Sequence, residues 1–189
     1  RHPARRSPPE SCRAYRLPAL VGQPEQVPAL FRTHQLAAVN FLAPCRPMME
    51  LIENQVYLAQ GAYAKVIGRS EGLLHLCQGM HYALAELHIR IQTAAAYAML
   101  DKGTEAKPLL AQALQAAGAD GFFLPFVENY RYLKPLLAEA VHSDLIHRIT
   151  TLGAAAEDRR SRSSCPALPG LTPREQEIAS LAALRLSNR

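Results

Sequence analysis

Between Met49 and Ala117 apolar residues return at steps of three and four, segment after segment, and glycine stands between the segments. That spacing places the apolar side chains on one face of a 3.6-residue turn, so the stretch is constrained to a succession of amphipathic helices. Met49, Ile52, Val56 and Ala59, flanked by Leu51 and Leu58, define a helix that ends near Gly61. A second is expected over about Tyr63–Gln78, with Val66, Ile67, Leu73, Leu74 and Cys77 inward and Gly79 as its stop. A third is expected over about Tyr82–Leu100, with Leu84, Leu87, Ile91, Ala94, Ala95 and Ala98 on one buried face and Gly103 closing it. A fourth runs over about Thr104–Ala117, with Ala106, Leu109, Leu110, Ala113 and Leu114 inward and Pro108 early enough to cost little. Strand-forming Val and Thr are sparse against Ala and Leu, which makes the fold class all-α.

The flanks read differently. Residues 1–16 are basic and proline-rich without apolar periodicity and predict a disordered tail. Prolines 18, 24, 28, 44 and 47 break the next stretch into short pieces, with one helix expected over about Gln26–Leu42. Phe122–Val127 reads as an apolar connector, and helices over about Tyr132–Val141 and Asp144–Leu152 complete a helical region spanning 17–152. Residues 153–170, rich in Ala, Arg, Ser and Pro, read as a flexible linker. Arg159, Arg160 and Arg162 lie in it, and a solvated charge run outweighs phosphate contact as their reading.

Leu58-Ala-Gln-Gly-Ala-Tyr-Ala-Lys65 lines up with Leu100-Asp-Lys-Gly-Thr-Glu-Ala-Lys107, with Leu, Gly, Ala and Lys coinciding. A glycine turn between two helices, recurring at such a period, is the pattern of helical-hairpin repeats that stack into an α-solenoid. The unit is similar to a tetratricopeptide repeat, slightly lengthened.

Hydrophobic residues make up 49% of the 189, enough for a packed core, and no apolar run reaches the length needed to cross a bilayer. The four cysteines, Cys12, Cys45, Cys77 and Cys165, are scattered, so they are expected to be reduced thiols of a cytoplasmic protein. A net charge of +5 permits a polyanionic partner without requiring one. Cys77, His81 and His88 have a superficial metal-ligand spacing, but Gly79 interrupts the helix and no fourth ligand is near, so no metal is expected. Phe122, Phe123, Phe126, Tyr130 and Tyr132 are candidates for an effector pocket, against the plainer reading as core. No phosphate-binding loop, nucleophile elbow or catalytic triad can be assembled, and the chain is expected not to be an enzyme.

The last nineteen residues carry the most specific signal: Leu171-Thr-Pro-Arg-Glu-Gln-Glu-Ile-Ala-Ser-Leu-Ala-Ala-Leu-Arg-Leu-Ser-Asn-Arg189. Thr172 is a helix N-cap, Pro173 takes the first helical position, and Glu175 completes a capping box. Ser187 or Asn188 would cap a following helix. The string resembles the opening of the LuxR-type helix-turn-helix domain, which reads Leu-Thr-x-Arg-Glu-x-Glu, an apolar helix, then Ser-Asn. Arg185 stands where that family usually has glycine. Upstream, residues 100–149 look like the last repeats of the large, ATP-binding, maltose-regulator-like subclass.

The resemblance implies a fragment of a bacterial transcription regulator, with 171–189 the truncated start of its DNA-binding domain. It implies DNA as partner of the intact protein, as a homodimer on paired half-sites, and a small effector or regulatory protein on the repeats. It also implies phosphate contacts near Ser187 and Asn188, helix-capping roles for Thr172 and Glu175, and no cofactor in this fragment, ATP belonging to an upstream module. The alternative expectation is a tetratricopeptide-like interaction scaffold without DNA binding.

Overall fold

A computed structural model describes residues 27–36, 43–118, 120–141 and 143–163. These form eight α-helices and one 3-10 turn, with no strand among the described residues. The helices are α1 (Ala29–Arg32), α2 (Arg46–Ala59, after a 3-10 turn at Ala43–Cys45), α3 (Tyr63–Gly79), α4 (Ala83–Ala98), α5 (Gly103–Gly118), α6 (Leu124–Glu128), α7 (Tyr130–Ala138) and α8 (Asp144–Ser163). The chain divides into two compact units at Ala154/Ala155. The second is described only as the final residues of α8.

The connections after α2, α3 and α4 share one device. Gly61, His81 and Asp101 hold positive φ (74°, 55° and 57°), as does Gly121 after α5 (66°). At the first three turns the positive-φ residue donates its N–H to the carbonyl three back, and the next residue donates to the carbonyl five back. The bonds are Gly61 to Leu58 and Ala62 to Tyr57, His81 to Gln78 and Tyr82 to Cys77, Asp101 to Ala98 and Lys102 to Tyr97. These are Schellman caps, which stop a helix by satisfying its orphan carbonyls and turn the chain sharply back. The four positive-φ positions are evenly spaced, a step that carries Gly61 onto Asp101. The sequence match instead aligns Gly61 with Gly103, two positions out of register. Gly103 opens α5, and Asp101 is the residue that terminates α4.

Helix α4 lies at the centre, packed against α2, α3, α5, α6 and α7. Every residue from Leu87 to Ala96 except Arg90 is buried. A one-faced helix was expected there, and Leu84, assigned to that face, is 49% exposed. The reason is position: a helix with neighbours on several sides has no single inward face. Helix α2 is likewise buried continuously from Met49 to Leu58.

Other boundaries depart from the sequence reading. The first helix stops at Arg32, where Thr33 caps it and His34 takes φ 57°. The expected connector at 122–127 contains α6, which meets α7 at the buried Asn129, whose Nδ2 donates to the Pro125 carbonyl (2.9 Å). Helix α7 ends at Ala138, leaving Val141 89% exposed. Helix α8 runs through Leu152 to Ser163, so the first eleven residues of the expected linker are helical. Gly153, expected to open the linker, sits mid-helix, where the Tyr130 ring occupies the space a β-carbon would need. Residues 1–16 and 171–189 lie outside the described residues.

Gly68 and Gly72, in α3, have nothing near a would-be β-carbon. Ala at either is expected to raise stability by about 0.5–1 kcal/mol, the ordinary helix-propensity gain. Gly153→Ala is expected to reverse that sign and cost about 1–3 kcal/mol through overpacking against Tyr130. Urea unfolding of the three variants checks it, and stabilisation by Gly153→Ala would rule out the Tyr130 contact.

Candidate functional site

Two features of the described residues stand apart from ordinary core: a buried charged cluster on α2 and an apolar groove beside α7. The cluster arises because α2 carries Glu50 and Glu53 three residues apart in a helix that is buried all round. Both need a partner, since an isolated carboxylate in that environment is strongly disfavoured. Arg69 of α3 supplies it, one guanidinium nitrogen meeting Glu53 and another Glu50. Arg46, one turn before Glu50, adds a second cation at 3.4 Å. His34 Nδ1 lies 3.5 Å from Glu53 Oε1, and its ring stacks on Tyr57 with centroids 4.0 Å apart and planes 11° from parallel. The Tyr57 ring also faces Lys65 (5.2 Å) and Arg69 (5.4 Å). Burial first, then the Glu53 charge, pushes the Tyr57 phenol above its usual range, so it stays neutral at physiological pH.

Chemically the cluster is compensated: two carboxylates face two guanidiniums, with the His34 imidazole beside Glu53. It ties α2, α3 and the segment after α1 together. A second polar contact ties α2 to α4, where Gln92 Nε2 donates to the Leu51 carbonyl and to Gln55 Oε1, both at 3.1 Å. Asn54 is fully buried with neither amide atom hydrogen-bonded among the described residues. Periodicity overlooked these residues because it scores polar side chains as outward. The available signal was two glutamates inside an otherwise apolar helix.

The groove, of about 500 Å³, lies between α5, α7 and the first turns of α8. Leu110, Ala111 and Leu114 form one wall, Leu136 and Ala140 another, and Ile146 closes it from α8. Its charged lining residues, Lys107 and Glu139, pair with each other at 2.8 Å, and both are largely exposed.

Thr172, Glu175, Ser187 and Asn188 lie outside the described residues. Of the aromatic candidates, Phe126, Tyr130 and Tyr132 are buried in the core, Phe123 lies under the Arg148 guanidinium (3.8 Å), and Phe122 is exposed. They do not line the groove. Cys77 is buried with Leu51, Leu73, Ala85 and Ile89, whereas His81 is exposed on its turn. Among the described residues no three His, Cys, Asp or Glu side chains are grouped to hold a metal, and no helix is long and apolar enough to cross a membrane. No family model, curated protein or solved structure matches the chain.

Removing Arg69 leaves two buried carboxylates facing each other. Arg69→Met is expected to cost about 3 kcal/mol in urea unfolding, and adding Glu50→Gln with Glu53→Gln to recover most of it. A triple variant no more stable than the single would show that the charges are not the cause.

Burial raises the Cys77 thiol above its usual range, with Glu86 adding to it, so the buried thiol stays protonated at neutral pH, whereas Cys45 is open to solvent. Iodoacetamide labelling of the folded chain, mapped by mass spectrometry, is expected to modify Cys45 roughly tenfold or more faster than Cys77. Equal rates would contradict the burial.

Proposed function

We propose that the chain is the sensor portion of a LuxR-type transcription regulator. Its helices act as tetratricopeptide-like repeats that take up an effector or regulatory partner and control the helix-turn-helix domain opening at Leu171. The observation that carries this reading is the string Leu171–Arg189, where a capping box, an apolar helix and Ser-Asn follow one another at the family's spacing. Evenly spaced reversals of the chain support it further, since stacked helical hairpins supply the extended surfaces that repeat proteins use for recognition. On this reading the protein is cytoplasmic, acts on DNA as a dimer and performs no catalysis.

A scaffold that binds other proteins and no DNA is the second reading. It draws on the exposure of Leu84, Phe122, Leu124 and Val141, apolar surface of the kind partners cover.

In the family pattern the base-reading helix follows the Ser-Asn pair. Residues 1–189 alone are therefore expected to bind duplex DNA only through charge, with affinity falling steeply as salt rises and without sequence preference. The test is selection from a random duplex library by the chain extended with whatever its gene encodes after Arg189, beside a gel-shift titration of 1–189. One enriched, half-site-bearing sequence with the extended chain supports the regulator. A stop codon after Arg189, or no enrichment, refutes it in favour of the scaffold. Tight sequence-specific binding by 1–189 would refute the assignment of base reading to later residues.

A further inference from the structure

We propose that the groove between α5, α7 and the start of α8 is a binding site for a neutral, largely hydrocarbon small molecule. Three observations carry this. Its volume of about 500 Å³ falls in the range of small-molecule sites, and its walls, from Leu110, Ala111 and Leu114 to Leu136, Ala140 and Ile146, are apolar. From Lys107 to Leu114 it follows α5 for two turns, about 10 Å at 1.5 Å per residue. Lys107 and Glu139, bonded to each other at 2.8 Å, bridge α5 and the end of α7 at one end of that stretch.

The ion pair decides the chemistry of the occupant. Each charge already has its counter-charge, so an anion at Lys107 would lie against Glu139, and a cation at Glu139 against Lys107. An ionised ligand could gain a counter-charge only by displacing one partner of that pair, so the groove offers it no advantage over water. An uncharged apolar molecule meets no such cost, and it covers surface that is otherwise wet. The ion pair also argues against a docked helix. A docked helix longer than two turns would have to run past the bridged end. Identifying this ligand with the effector of the proposed regulator rests on that reading, whereas the groove's affinity for a probe does not.

A matched pair of fluorescent probes tests the proposal on the 189-residue chain. N-phenyl-1-naphthylamine is neutral, and 8-anilinonaphthalene-1-sulfonate has the same ring system with one anionic group. The neutral probe is expected to saturate one site per chain, and the sulfonate to bind at least tenfold more weakly. Ala111→Trp, at an exposed position on the groove wall, is expected to weaken the neutral probe at least tenfold while leaving the circular dichroism spectrum and Tm unchanged. Equal affinity for both probes would overturn the neutral-ligand assignment, and unchanged binding by Ala111→Trp would overturn the site. Concentration-dependent dimerisation abolished by Ala111→Trp would overturn it in favour of a self-association surface. Should that variant not fold, methyl NMR of the unaltered chain decides the matter. Shifts and probe contacts at Leu110, Leu114, Leu136 and Ile146 are expected, and their absence refutes the site. The DNA selection above is independent, so the groove and the regulatory reading fail separately.

Discussion

Helix α4 touches five other helices, and from Leu87 to Ala96 every residue but Arg90 is buried, so that stretch has almost no solvent face on which to place bulk or charge. Its composition answers the constraint. Ala94, Ala95 and Ala96 are fully buried in succession, three adjacent residues pointing in three directions, so neighbours can approach closely on each side. Larger side chains, Leu87, Ile89 and Ile91, fill the wider spaces toward its N-terminal half. Enlarging any of the three alanines would push a packed neighbour outward, and no solvent-facing side exists to take up the displacement.

A core of small and aliphatic residues packs well in more than one register, because alanine and leucine surfaces fit many partners. The buried polar contacts restrict that freedom. Gln92 reaches the Leu51 carbonyl and the Gln55 side chain, which pins α4 at one height along α2. Arg69 meets both Glu50 and Glu53, which pins α3 against the same helix. A slip of one turn, about 5.4 Å, would leave the guanidinium without one or both carboxylates and strand buried charge. These contacts supply little net free energy over a well-packed apolar substitute. Their effect is to make wrong alignments expensive.

The helices from α2 to α5 were legible because apolar spacing survives wherever a helix has any dry face. Their ends and inner organisation were less so. Positive φ recurs at even spacing, but glycine, histidine, aspartate and glycine occupy the four positions, so one backbone role is written in three residue types. Gly103 matches Gly61 in residue type, whereas Asp101 matches it in backbone conformation. Glu50, Glu53 and Gln92 were hidden by the rule that polar residues face water, which fails for a helix enclosed on all sides. Gly153 misled for a third reason: a glycine followed by alanines, arginines and serines has the composition of a linker, and nothing local reveals that Tyr130, on another helix, requires the missing side chain. The aromatic run at 122–132 was legible as apolar, with core as its plainer reading, but not which of its members are buried, since that is decided by the packing of neighbouring helices and not by its own spacing. The groove was invisible in the sequence because its walls come from three helices whose separation no periodicity encodes.

Tyr130 and Gly153 also bear on what an occupant of the groove can do. Ile146, which closes the groove, and Gly153, which admits the Tyr130 ring, lie seven residues apart on α8, two turns along the same face. Tyr130 begins α7, and Leu136 on that helix forms the opposite wall. The groove is therefore bounded by two helices that are keyed to each other where the ring meets the glycine. A ligand that fits the existing space leaves the key undisturbed. One that wedged Ile146 away from Leu136 would act on the helix that carries the Tyr130 contact.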